Sequence, residues 1–367
     1  MTHYYHQQQH RRRVLMGLLL GAAAVFLRPK RRQPCLTRAS LLSPSLSAAA
    51  HLLHARKDSG YIPVFGLDVK TFDLLLAKAS SFFPPPHLKV RRHRLLSVRA
   101  HLALTLYYLT TPQRQKSISI VFGIVPSAVS PAIWVGLRAL RVMMEADPDY
   151  WAIRWPSPDT MKSMAAAVRA REPLLKHVFG FVDGLNLRIY QPGDVDEQNA
   201  YYNGWLADTY CSQVLVFLPN GEIAWTSFNC PGSWHDSKIA AGLYKLLTNP
   251  TRTPGSFAVL ADSAFPYTAE IAGRILSRPK DKIVGKETDV SKLRLWEAVT
   301  RQRQSAEWGM RALQGAFGRL DLRLPVHKTK RALLLYVVFR LHNFRTRIVG
   351  LNQIKEVYFP EWQARPN

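Results

Sequence analysis

The sequence predicts an α/β protein: a mixed sheet flanked by helices and preceded by a small all-helical region. Three observations carry that expectation. Residues 61–160 place apolar side chains at helical steps, broken at Pro- and Gly-bearing points. From about residue 175 the pattern turns to short β-rich runs, two of them joined by Pro219-Asn220-Gly221, a strong hairpin signal. After residue 290 the three- and four-residue apolar steps return. Strand, hairpin, helix, strand and helices together describe a sheet with both parallel and antiparallel neighbours.

The elements follow in order. Residues 1–60 are basic and turn-rich, and a disordered arm is expected there. Within it VLMGLLLGAAAVFL (14–27) is too short to span a membrane, which takes about 20 residues. A short helix in a basic arm is the favoured reading, and no stable membrane association is expected. The same run also fits the apolar part of a signal peptide, although the Pro29-Lys30-Arg31-Arg32 flank has the character of a nuclear-import cluster.

In 61–160, LSVRAHLALTLYYLTT, RQKSISIVFGI and VPSAVSPAIWVGLRALRVMMEA give three helices with breaks at Pro112 and Gly123. That is a helix-turn-helix layout. Pro131 and the apolar AIWVGL run leave few polar side chains for base edges, so a structural subdomain touching only phosphates competes with it. The α/β domain is expected over 175–350, with 351–367 as a C-terminal tail.

Charge narrows the function. Fifty Lys+Arg against 25 Asp+Glu give +25, which points to a polyanion and away from a free enzyme of small neutral metabolites. Residues 1–57 carry ten basic residues and no acid, as do residues 74–144. Such acid-free stretches avoid repelling phosphates. Arg91, Arg92, Arg94, Arg114 and Lys116 are the expected DNA contacts there. The three cysteines, Cys35, Cys211 and Cys230, are far apart and contain no CxxC. This argues against a disulfide-stapled secreted protein and against a cysteine zinc finger. Cys211 and Cys230 fall on the two arms of the hairpin and read as small core residues.

The carboxylates suggest chemistry. Asp183 closes the first strand, in VFGFVDG, and Asp262 closes the later one, in SFAVLAD. Side by side, those strands would deliver both acids to one edge of the sheet. Converging carboxylates hold pairs of divalent cations about 4 Å apart, and hard cations such as magnesium or manganese suit oxygen donors. Asp236, in PGSWHDS, reads either as an N-cap or as a further acid at the site. Glu307, Arg311 and Gln314 share one helix face by their spacing, with a simple Glu307–Arg311 pair as the plainer reading. In Tyr201-Tyr202-Asn203-Gly204-Trp205, core packing and a turn compete with stacking on unpaired bases.

The ordered set VDG, YYNGW, PGSWHDS, LADSAFP, SAEWGMRALQGAFGRL and LHNF, over residues 178–345, resembles the DDE-superfamily endonuclease of PIF/Harbinger-type transposases and their domesticated relatives. The resemblance implies an RNase H-like fold and a divalent-metal DNA nuclease able to transfer 3′ ends. It also implies a nuclear site of action, double-stranded DNA as substrate and a Myb-like partner protein, and the cutting of paired ends would suit a homodimer. Carried over, Asp183, Asp262 and Glu307 become the catalytic acids and, with Asp236, the metal ligands; Arg311, placed on the Glu307 face by its spacing, is a further expected DNA contact. Glu297 lies 35 residues after Asp262 in RLWEAV and is the runner-up for the last acid. A domesticated DNA-binding scaffold without turnover is the alternative function.

Overall fold

Four helix starts are written in the sequence as Ser or Asp before an apolar run. A computed structural model describes residues 36–84, 96–265, 271–279, 284–285 and 287–360. In it Ser47, Asp68, Ser97 and Ser157 are extended, and each side chain accepts the backbone N–H three residues on. Each cap satisfies an amide that has no partner inside the helix. The helices of this half are α1 (Ala48–Ala55), α2 (Asp58–Phe65), α3 (Val69–Ala79), α4 (Val98–Thr110), α5 (Gln115–Phe122), α6 (Pro126–Ala146), α7 (Pro148–Trp151) and α8 (Pro158–Arg171).

The expected arm over 1–60 is therefore too long at its C-terminal end. Residues 48–60 lie in α1 and α2, with Ala49 and Leu53 buried. Ser47-Ala48-Ala49-Ala50 looks compositionally biased, yet it is a capped first turn. The apolar segment 14–27 and the Pro29–Arg32 cluster lie outside the described residues, as do Arg91, Arg92 and Arg94. Among the described residues no single helix is long and apolar enough to cross a membrane.

The three helices expected around Gly123 are α4, α5 and α6. Gly123 ends α5 at φ 65°, and a Cβ there would press on the backbone of residues 42–44, so glycine is required twice over. The chain turns by 93° between α5 and α6. Ala132, Ile133, Gly136 and Leu137 of α6 are buried, and Gly136 lies against the Thr105 side chain of α4.

Beyond α8 come β1 (Val178–Arg188), α9 (Val195–Tyr201), β2 (Tyr202–Asn203), β3 (Asp208–Phe217), β4 (Ile223–Pro231), α10 (Asp236–Ile239), α11 (Ala241–Thr248), β5 (Ala258–Leu260), β6 (Ile275–Leu276), α12 (Val290–Ala316), α13 (Lys328–Ile348) and α14 (Gln353–Tyr358). The sheet order is β4-β3-β1-β5-β6, with the short β2 also on β3. The β4-β3-β1 pairs are antiparallel and the β1-β5-β6 pairs parallel. The expected mixed α/β sheet is present.

The described residues from Arg38 onward form one compact unit, and one apolar core crosses the expected boundary at 160–175. Leu106, Ile133 and Leu140 of the helical half share it with Phe181, Phe217 and Phe344. The opposite face of the sheet packs Phe179, Val182 and Val214 against Met161, Ile239 and Leu243. Cys211 faces the first core and Cys230 the second, and both are free thiols. The tail expected from 351 is also shorter than its composition suggests. Ile354 and Tyr358 of α14 are buried, and Tyr358 stacks on Phe181 at 5.4 Å.

Candidate active site

β1 and β5 set the geometry. They pair in parallel with Phe181 opposite Leu260, so Asp183 and Asp262 lie two residues further along neighbouring chains. Because side chains alternate, residues two apart share a face. β1 does not end at Asp183 as expected. It runs on to Arg188, because residues 184–188 keep pairing with β3 after β5 has stopped. Asp183 is consequently surrounded: burial, helped by the charges of Asp262 and Asp236, pushes its carboxyl up to about 6. The Gly184 amide, which donates to Oδ1 at 2.8 Å, and the Arg303 charge pull the other way.

Asp236 arrives from the other side of β1. Its carboxylate packs on Gly184, where any side chain would collide with it. Burial raises its pKa, His235 lowers it, and Asp262 raises it. The N-cap alternative does not describe Asp236: His235 holds the cap position of α10 without a capping bond, and Asp236 is the first helical residue.

Glu307 comes from α12, which is pinned at three points. Glu172 at the end of α8 accepts from Arg301 at 2.8 Å. Tyr358 Oη donates to Gln302 at 2.6 Å and lies 2.8 Å from Ser305 Oγ. Gly309 lets the helix settle on β3, since a Cβ there would stand 2.7 Å from the Phe217 ring. The plainer Glu307–Arg311 pairing is not what forms. Arg303 instead bridges, 3.5 Å from Glu307 and 3.7 Å from Asp262. Glu297 is exposed, in the field of Arg301 and without such a link to the acids. A cleft of about 260 Å³ lined by Asp262, Ser263, Arg278, Thr300 and Arg303 opens beside the acids. A larger cavity of about 650 Å³, between α1 and α4, is lined by none of them.

Sequence reasoning missed Arg303, whose one signal is its position four residues before Glu307. It also missed Arg331. That buried side chain donates to Asn229 and to the Pro325 and Val326 carbonyls, and lies 4.5 Å from the Tyr201 ring.

Several motif residues prove structural. Asn203 accepts the Trp205 and Leu206 amides and donates to the Gly232 carbonyl at 3.0 Å, tying YYNGW to PGSWHDS. The aromatic block divides: Tyr201 is buried, whereas Trp205 is 94% exposed. In LHNF, Asn343 brackets Ile223, accepting its N–H at 2.7 Å and donating to its C=O at 2.8 Å. His342 lies 3.1 Å from the Gly221 carbonyl, and complete burial lowers its pKa to about 4.

Residues 182–343 match the family described as DDE superfamily endonuclease. No curated protein and no solved structure matches the chain. The match covers less than half of the chain and includes all four acids, Asp183, Asp236, Asp262 and Glu307. It supports a nuclease-type enzyme of the DDE superfamily, with which the mixed sheet and its flanking helices are consistent.

Whether these residues suit a divalent cation is a question of donors and charge. Carboxylate oxygens are the ligands magnesium and manganese prefer, and a cation would relieve the mutual repulsion of Asp183, Asp262 and Asp236. The donor set therefore fits. Among the described residues no three His, Cys, Asp or Glu side chains converge closely enough to hold an ion. Of the expected DNA contacts, Arg114 and Lys116 are exposed at the start of α5, and Arg311 is exposed one turn beyond Glu307.

Proposed function

We propose that the protein is a metal-dependent DNA endonuclease of the PIF/Harbinger transposase type, acting in the nucleus. One observation carries the reading: Asp183 and Asp262 extend from adjacent parallel strands on one face, with Asp236 packed on β1 and Glu307 linked through Arg303. The order β4-β3-β1-β5-β6, antiparallel then parallel, supports an RNase H-like sheet.

In this reading Asp183, Asp262 and Glu307 hold magnesium or manganese, and Asp236 assists. Bound divalent cations supply a lowered water pKa and charge stabilisation at the leaving oxygen of a phosphodiester. The chain's own part is positioning. Gly309 and Tyr358 seat α12 so that Glu307 faces the strand ends. Arg303 counters the carboxylates' charge and must turn from at least one of them for metal ligation. Arg114, Lys116 and Arg311, with Arg91, Arg92 and Arg94, hold phosphates of double-stranded DNA. The 93° turn between α5 and α6 is of helix-turn-helix size. The Myb-like partner and 3′-end transfer rest on the motif resemblance alone, and the homodimer on the cutting of paired ends.

Supercoiled-plasmid cleavage tests the reading. Wild type should nick with magnesium or manganese and stop in EDTA, and Asp183→Ala and Asp262→Ala should not nick. Metal-independent nicking, or nicking that survives both substitutions, overturns it. A second reading, DNA binding without turnover, draws on the Arg303 bridge between Asp262 and Glu307. It is favoured if no metal yields nicking, even with a Myb-like partner, while DNA is still bound.

A further inference from the structure

Along the line where α6 meets α13, three aromatic rings each carry basic side chains. Lys330 lies 5.4 Å from the Trp134 ring. Arg141 and Arg340 lie 5.6 and 3.5 Å from the Tyr336 ring. Lys78 and Arg347 lie 4.3 and 5.2 Å from the Tyr150 ring. The contacts ascend in the same order on both sides, 134, 141 and 150 against 330, 336–340 and 347, so they form one stripe. From Lys330 to Arg347 that stripe is about 25 Å long at 1.5 Å per helical residue.

Holding two helices together does not require such residues. The seam is already closed by buried Leu137, Leu140, Val337 and Val338. The charges on the stripe are also not balanced. Glu145 pairs with Arg141 at 2.8 Å, Asp147 with Lys78 at 3.7 Å, and Glu222 with Arg347 at 3.9 Å. Arg340 donates to the Tyr336 carbonyl at 3.3 Å. Arg138, Lys328 and Lys330 are exposed and make no ion pair among the described residues. Cations held flat against aromatic faces lose little further freedom when a phosphate arrives. A length of about 25 Å matches roughly seven base pairs at 3.4 Å each.

The stripe also begins in a telling place. Asn229 near the end of β4 donates to the Lys328 carbonyl at 3.1 Å, and the chain then runs from β4 through PGSWHDS to Asp236. We propose that the α6–α13 seam is a second DNA track, which holds the phosphates of duplex flanking the cleaved bond. This rests on the nuclease reading for what is cleaved, and on the seam alone for binding.

The test is duplex binding in EDTA, where cleavage is absent, followed by fluorescence anisotropy between 50 and 200 mM salt. The full chain is compared with Arg138→Ala/Lys330→Ala and with a control, Lys162→Ala/Arg169→Ala, at exposed cations of α8. Losing two phosphate contacts should flatten the slope of log affinity against log salt by about 1.8 and weaken binding several-fold at the lower salt. The control should keep the wild-type slope, and so should Arg138→Lys/Lys330→Arg, which retains both charges. An unchanged slope, or equal flattening in both double variants, overturns the track. Loss of the track with intact metal-dependent nicking, or the reverse, shows which of the two proposals has failed.

Discussion

Asp183 and Asp262 stand two residues beyond Phe181 and Leu260, the last positions at which β1 and β5 pair. Strand pairing thus fixes the spacing of the two acids before any metal is considered. Neighbouring strands lie about 4.8 Å apart. The energetic consequence is a half-buried carboxyl at Asp183 that faces like charges.

That consequence is measurable. An acid whose folded pKa is raised costs nothing below its unfolded value, near 3.8, and destabilises the fold as pH rises through about 6. The shift corresponds to about 3 kcal/mol at most above pH 7. Asp183→Asn should therefore be more stable than wild type at pH 7.5, with the difference closing by pH 4. Urea unfolding at the two pH values checks this, and an equal difference at both contradicts it.

Arg303 lowers the pKa of Asp183, so its charge should set where that carboxyl titrates in the metal-free protein. In EDTA, an NMR titration of Asp183 should show a midpoint near 6 in wild type that moves upward in Arg303→Gln. Arg303→Lys, which keeps the charge, should lie between them. An unmoved midpoint in Arg303→Gln removes the residue from the site's electrostatics.

Gly309→Ala places a methyl 2.7 Å from the Phe217 ring. Overpacking of this kind costs about 1–3 kcal/mol, and it should lift α12 two residues from Glu307. We expect a lower unfolding midpoint together with reduced nicking. Phe217→Leu in the same chain should recover part of both.

Asn343→Ala strips both partners from the buried Ile223 backbone. Unpaired buried polar groups cost about 1–3 kcal/mol each, so a loss of about 2–4 kcal/mol is expected. Hydrogen exchange should accelerate first at residues 218–223. Uniform acceleration across the sheet contradicts the local role.

His342 adds an acid-side limit. Its folded pKa of about 4 lies below its unfolded 6.5, so its contribution is intact above pH 6.5 and is lost as pH falls toward 4. Thermal midpoints measured across that window should decline more steeply in wild type than in His342→Gln.

Much of this was legible in the sequence. The hairpin was marked by Asn220-Gly221, and Gly221 takes φ 85° in its turn. The two Asp at strand ends announced their edge, although β1 outlasts Asp183 because β3 continues beside it. What was not legible depends on tertiary contact. Arg303 is one of fifty basic residues, and only the packing of α12 places it between Asp262 and Glu307. LNQIKEVY is too short to show helical periodicity, and only the packing of Tyr358 against Phe181 distinguishes α14 from a tail. The α6–α13 stripe joins residues nearly two hundred positions apart, which no spacing rule connects.

The central claim is that these carboxylates form one cation site. Manganese binding to the full chain, followed by electron paramagnetic resonance at pH 7.5, tests it most directly. The account predicts stoichiometric binding by wild type that is lost in Asp183→Asn and in Asp262→Asn while the proteins stay folded. Binding that is absent from wild type, or unchanged in both variants, would contradict it.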